Sequence, residues 1–398
     1  MNKLLSAIAA VMLLVSCSVD VVVNNDNSDA ANLGDPENIL FWNFEEKIAG
    51  FRNIDKFGQT RAVPAGDSPY PLRKVDRGLD SLEFQYRDEV WTVDKYIKEQ
   101  KVAGLIVVKA GSIVLERYAL GNTEESRWLS FSVTKSVTSL LLGAAIKDGY
   151  IDSIDEKITD YVPRLRNSSY DESSIKHISQ MASGVAWDEI KSYADPEADI
   201  NKVPWSTLEM YQYLRQKPRM AAPGQIFNYN TAETNLVGDV VRSAVGNNLS
   251  TYLSEKIWKP FGMEHDAYWV LVEPGGGEFG GSSLCATLRD TARIGLFALH
   301  NGALRDGTQT LPDNWMVEST MPSKANDGYG YLWWLRGDGT YAASGIFGQQ
   351  IHIDPKNDIV IVLHSARDDA NNAEDWRLMH AAFGALVNAT LSSGDEFE

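Results

Sequence analysis

The sequence predicts an α+β fold, with one sheet assembled from both ends of the chain and a mainly helical lobe between them. Three observations carry this prediction. β-Rich runs cluster near residues 103–118 and again at 341–364, while residues from about 150 to 270 show helical and loop signals with few strand runs. Before that lobe stands a long and almost wholly apolar segment, Phe131 to Ile146, which reads as a central helix buried on several faces. A chain of 398 residues, 44% hydrophobic and 23% charged, is long enough to bury one large core or two closely packed ones.

The N-terminus reads as an address. Lys3 precedes an apolar run, Leu4 to Val15, that is too short to span a bilayer. The run ends in Leu14-Val15-Ser16-Cys17, which resembles the bacterial lipobox. Residues 1–16 are therefore expected to be a signal peptide, cleaved before a lipidated Cys17, and Ser18 after it favours the outer membrane. The expected location is the periplasmic side of a bacterial cell envelope, with the membrane as a partner through the lipid. Cys17→Ser is expected to move the protein into the soluble fraction; unchanged membrane partitioning would refute the anchor. Residues 17–36, rich in Asn, Asp and Ser, read as a tether, leaving 37–398 as the folded domain. With Cys17 lipidated, Cys285 stands alone, so no intramolecular disulfide is expected and Cys285 reads as a buried structural thiol.

Ile39 to about Asp94 is irregular and aromatic, punctuated by Pro64, Gly66, Pro69 and Pro71. Ala103 to Val108 and Ile113 to Tyr118 are strands, joined by the hairpin turn Lys109-Ala110-Gly111-Ser112. Asp148-Gly149 ends the central helix. Ile178 to Met181, Thr207 to Leu214 and Glu233 to Val245 are helix candidates in the lobe. Met263 to Trp269 returns to the main body, and Thr287 to His300 is an amphipathic helix. The late strands are Tyr329 to Leu335, Tyr341 to Ser344, Gln350 to Ile353 and Ile359 to His364, the last pair joined by Asp354 to Asp358. Arg377 to Val387 is a closing helix.

Charge and motifs exclude several functions. The formal net charge is −17 and no Lys/Arg cluster interrupts it, so nucleic acid is not expected as a partner. No Gly-x-Ser-x-Gly elbow is present. The six histidines show no metal-ligand spacing, and Gly275-Gly276-Gly277 lacks the lysine and helix of a phosphate loop. No metal or cofactor is expected.

Ser132-Val133-Thr134-Lys135 carries the chemistry. A serine hydroxyl needs an adjacent base to act as a nucleophile. Three residues apart on a helix, Ser132 and Lys135 share a face. Burial lowers a lysine's pKa and makes it a base, and a serine at a helix start has its own N–H available to an oxyanion. The spacing alone is weak, since Ser173-Ser174-Ile175-Lys176 repeats it; that copy lacks an apolar helix and reads as a decoy. Tyr229, in Pro223-Gly224-Gln225-Ile226-Phe227-Asn228-Tyr229-Asn230-Thr231, stands just before a helix. Held against Lys135, it can share the serine's proton, a nearby cation lowering the phenol's pKa. Ala343-Ser344-Gly345-Ile346 reads as a small-residue strand that admits substrate close to its backbone and offers a second N–H donor.

Ser132-x-x-Lys135, then Tyr229, then the Ser344-Gly345 strand occur in the order of serine β-lactamase-like hydrolases, a superfamily of class C β-lactamases, D-Ala-D-Ala peptidases, esterases and 6-aminohexanoate-dimer hydrolases. Met181 to Asp188, Pro260 to Met263, Arg289 to Gly295 and Tyr329 to Trp334 resemble the same family, from about residue 40 to 385. The likeness is greatest to the 6-aminohexanoate-dimer hydrolase branch. Gly345-Ile346-Phe347-Gly348-Gln349 resembles its oxyanion strand, with the donor at Ile346, and Tyr193-Ala194-Asp195-Pro196 resembles a loop whose tyrosine contacts the scissile amide. The resemblance implies a β-lactamase/transpeptidase-like fold and hydrolysis of a small-molecule ester or amide through a Ser132 acyl-enzyme.

Two departures shape the expected specificity. Ala343 stands where the family's third motif often has a lysine, which disfavours β-lactams and peptidyl-D-Ala. Thr231 stands where an Asn amide is usual and reaches less far. The alternatives are a D-Ala-D-Ala peptidase or β-lactamase and, from another class, a non-catalytic envelope lipoprotein that uses the fold for binding.

Overall fold

The computed structural model describes residues 29–56, 58–189 and 193–392. The signal peptide, Cys17 and the first part of the tether lie outside them. The tether's last residues are seated on the fold: the Asp29 carboxylate pairs with Arg52 at 2.8 Å and accepts from Asn53 at 2.8 Å. Among the described residues no helix is long and apolar enough to cross a membrane.

The main sheet has seven strands, in spatial order Trp334–Leu335, Tyr341–Ser344, Gln350–Asp354, Ile359–Ser365, Val102–Lys109, Ser112–Tyr118 and Arg73–Lys74. Every neighbouring pair is antiparallel except the Arg73–Lys74 edge, which runs parallel to Ser112–Ile113. The two ends of the chain meet at its centre, where Val362 faces Ile106 and Val360 faces Val108. Both central strands are buried nearly throughout, which explains why they read as continuous apolar runs. Ala110 and Gly111 both take positive φ, 47° and 73°, the geometry of a two-residue turn whose twist matches the strands it joins.

Four short strands, Thr60–Val63, Ala267–Val270, Leu284–Ala286 and Trp128–Leu129, form a second sheet under the start of the central helix. Cys285 lies there fully buried, and burial raises its thiol pKa well above the usual value. The central helix, Val133–Lys147, is buried from Val133 through Ala145. Residues between it and Ala267 form helices and turns with no strand among those described.

One predicted strand shrinks. Of Tyr329 to Leu335 only Trp334–Leu335 pairs as a strand. Leu332 has φ +64° and donates to Gly330 O at 3.1 Å and to Ser179 O at 3.0 Å, so the chain turns there. Tyr329, Tyr331, Leu332 and Trp333 are all buried, and Tyr329 bridges to Trp334 across the reversal, so burial does not alternate as in a half-exposed strand. The helix predicted at Ile178 to Met181 is Ile175–Ser179, shifted toward the N-terminus because Ser174 caps it in a reciprocal pair with His177, and Met181, at φ +53°, lies past its end.

Candidate active site

Ser132 occupies the N-cap of the central helix, yet its hydroxyl makes no cap bond. Serine at that position usually accepts from the backbone one turn on. Here Oγ is engaged instead by Lys135 Nζ at 3.0 Å. The preceding Phe131 has φ +46°, a left-handed conformation costing about 1–2 kcal/mol for a residue with a side chain. That turn sets Ser132 at the helix entrance.

Lys135 is 1% exposed. Besides Ser132 it donates to Thr231 Oγ1 at 2.8 Å and Gly281 O at 2.7 Å. Burial pulls its pKa down to about 8, with the Glu189 carboxylate opposing the fall. About one molecule in ten therefore carries a neutral amine at pH 7.

Tyr229 stands before the Thr231–Val245 helix because Asn230 caps it, accepting from Glu233 N at 3.0 Å. Its ring is stacked on Trp334 at 5.7 Å and lies 5.2 Å from Lys135 Nζ. Burial and Glu189 together raise its pKa well above 10, a hydrogen bond with the Ser132 hydroxyl opposing them. The expected lowering by Lys135 is overturned; Tyr229 is a neutral phenol. Thr231, expected to fall short, reaches both Lys135 and Glu189 Oε1, the latter at 2.5 Å.

Glu189 is the residue that sequence reasoning missed. It is 3% exposed and accepts from Thr231 N at 2.8 Å, Trp187 Nε1 at 2.7 Å and Tyr193 OH at 3.3 Å. It follows the Met181 to Asp188 stretch directly, and an acid after a tryptophan was its one sequence signal. Through Thr231 it extends the chain of groups that begins at Ser132.

Gly345 and Ile346 lie in the turn after the Tyr341–Ser344 strand rather than on it. Gly345 N donates to Gln349 O at 2.8 Å, and Phe347 N to Gln349 Oε1 at 3.2 Å. Neither the Ile346 nor the Ser132 N–H donates to another group among the described residues. A Cβ on Gly345 would stand 2.8 Å from Ser130 O, so the bare glycine lets this turn close on the segment leading into Ser132.

Two cavities meet at the walls formed by Tyr193 and Ile346. One, about 100 Å³, holds Ser132 and is walled by Leu40, Phe131, Trp205 and Phe279. The other, about 180 Å³, is walled by Tyr229, Trp334, Arg336, Ser344 and Trp376. The decoy stays apart: Ser173 is buried, while Lys176 is 4.0 Å from Asp155 near the surface. Among the described residues no group of His, Cys, Asp and Glu is arranged to hold a metal. The arrangement offers a hydroxyl, a depressed-pKa amine, a neutral phenol and two N–H donors around one cleft, the parts needed for acyl transfer.

The family model described as Beta-lactamase matches residues 92–383. A 6-aminohexanoate-dimer hydrolase of Paenarthrobacter ureafaciens is 27% identical over 369 residues, covering 86% of this chain and 91% of that protein. Among solved structures, the "Putative 6-aminohexanoate-dimer hydrolase from Bacillus anthracis" superposes with a TM-score of 0.76 at 22% identity, covering 92% of this chain and 96% of that one. The octameric penicillin-binding protein homologue from Pyrococcus abyssi gives 0.58 at 18% identity, covering 73% and 76%.

Proposed function

Because the chain belongs to the Beta-lactamase family, a family of hydrolase fold, we propose that it is a serine hydrolase cleaving small esters or amides through a Ser132 acyl-enzyme. The observation that carries this reading is the 3.0 Å bond between an uncapping Ser132 hydroxyl and a buried Lys135 whose pKa is down to about 8. Neutral Lys135 takes the Ser132 proton as Oγ attacks the carbonyl. The N–H groups of Ser132 and Ile346 receive the oxyanion. Tyr229 protonates the leaving oxygen or nitrogen as its bond to the acyl carbon breaks, and Tyr193 contacts the scissile group. Water then attacks the ester with the same pair handling its proton, and Ser132 is regenerated.

The similarity to 6-aminohexanoate-dimer hydrolase supports an amide as well as an ester substrate. We also assign the enzyme to the bacterial envelope, lipid-anchored at Cys17, on the sequence features alone. A fluorophosphonate probe is expected to label the wild type and not Ser132→Ala, with ester hydrolysis lost in parallel. Wild-type turnover by Ser132→Ala would sink the mechanism.

A further inference from the structure

The two N–H groups that receive the oxyanion, in the acyl-enzyme reading on which this inference rests, come from distant parts of the chain. Ser132 N stands at the entrance of the central helix, and Ile346 N in the turn after the Tyr341–Ser344 strand. Each has a phenylalanine beside it, Phe131 before Ser132 and Phe347 after Ile346. What touches these two rings therefore bears on the gap between the donors.

The rings meet edge to face, with centres 5.2 Å apart and planes at 72°. A third ring, Phe51, closes on both, 5.0 Å from Phe131 and 5.7 Å from Phe347. Phe131 walls the Ser132 cavity, whereas Phe51 is fully buried behind it and lines neither of the two cavities.

Phe51 belongs to the helix Phe44–Asn53, outside the residues 92–383 that the family model matches. Asn43 and Glu46 start this helix as a reciprocal capping pair, with bonds of 3.0 and 2.8 Å. Lys47, 3% exposed, stands four residues before Phe51 and so on the same face. Its Nζ lies 4.1 Å from the centre of the Phe347 ring and donates to Arg367 O at 3.0 Å and Asp368 O at 2.5 Å. The loop it grips holds the oxyanion turn in its own bonds. Arg367 N donates to Phe347 O at 3.2 Å, and Asn371 N to Ile346 O at 3.0 Å. One helix face thus bears on both donors, Phe51 through two rings and Lys47 through the 367–371 loop.

We propose that Phe51 and Lys47 are positioning residues that set the distance between the Ser132 and Ile346 N–H groups. Oxyanion donors must stand about 2.7–3.1 Å from the place the charged oxygen takes, not from the carbonyl of the bound substrate. Loosening the brace therefore weakens the transition state more than it weakens substrate binding.

Phe51→Leu shortens the brace and stays apolar. It is expected to lower kcat for 4-nitrophenyl butyrate roughly tenfold with KM within about twofold, part of the roughly 10²–10³-fold that a lost donor costs. Affinity for butylboronic acid should fall in step. Ser132 Oγ adds to its boron as the serine proton passes to Lys135, and a boronate hydroxyl then takes the oxyanion's place. Phe297→Leu is the control for lost packing, since Phe297 is fully buried against Phe261 at 5.4 Å and lines neither cavity. It should lower the melting temperature while leaving kcat within about twofold of wild type. Lys47→Met keeps all three rings, is expected to lower kcat several-fold with KM held, and decides the matter if Phe51→Leu does not fold. With wild-type Ser132 still labelled by fluorophosphonate, an unchanged kcat in the brace variants, or an equal fall in Phe297→Leu, overturns the brace alone. A wild type that neither hydrolyses the ester nor takes the label removes the acyl-enzyme reading and this inference with it.

Discussion

Lys135→Met is expected to lower kcat/KM by roughly 10³-fold, with the fold retained. Methionine preserves the buried stem and its packing, but it takes the amine from Ser132, Thr231 and Gly281 at once. The serine then has no base within reach, since Tyr229 is a neutral phenol whose pKa lies well above 10. The wild-type pH profile carries the same argument. In the proposed mechanism the base is the neutral amine, and burial sets its pKa at about 8. With a substrate that does not itself ionise, kcat/KM should fall about tenfold per pH unit below 8 and level off above it. Stopped assays of one ester from pH 6 to 10, on wild type and Lys135→Met, decide the matter. A wild-type profile flat across pH 8, or a variant within a few-fold of wild type, rules Lys135 out as the base.

How much of this was legible in the sequence depends on whether a residue's place is fixed locally. Ser132 and Lys135 were readable because helical periodicity puts residues three apart on one face, and the apolar run around them announced the burial that tunes the lysine. Tyr229 was readable because Asn230 caps the helix after it, and a cap is a local event. Glu189 was not. It sits on an irregular stretch, and only tertiary packing brings it under Thr231. The fall in the Tyr229 pKa that a nearby lysine suggested fails for the same reason, because burial and the Glu189 carboxylate raise it instead. The Tyr329 to Leu335 run misled because its aromatic residues pack on a turn, and no period in the sequence separates that from a buried strand.

Gly345→Ala is expected to cost about 10² in kcat/KM, although it adds one methyl group. The added Cβ would lie 2.5 Å from Gln349 Oε1 and 2.8 Å from Ser130 O. The glutamine end is not free to move, because it already holds Phe347 N at 3.2 Å and, through Nε2, Ser365 O at 3.1 Å. The Ser130 carbonyl belongs to the backbone that delivers Ser132, and its position is tied by bonds from Val133 N at 3.2 Å. Relief therefore comes by pushing the Gly345–Gln349 turn away from the helix entrance, and Ile346 N moves with it. An oxyanion donor displaced by a few tenths of an ångström weakens just where charge develops, so kcat falls more than KM rises. Gly384→Ala is the matched control. Nothing stands within 4 Å of its added Cβ, it lies on the exposed side of the Ala373–Ser392 helix, and alanine there should stabilise by about 0.5–1 kcal/mol with activity unchanged. Steady-state kinetics and thermal melts on both variants separate the two effects. Wild-type kcat/KM in Gly345→Ala would mean that the turn does not hold the second oxyanion donor, whereas a loss confined to Gly345→Ala ties the rate to the approach of two backbone segments rather than to any side chain.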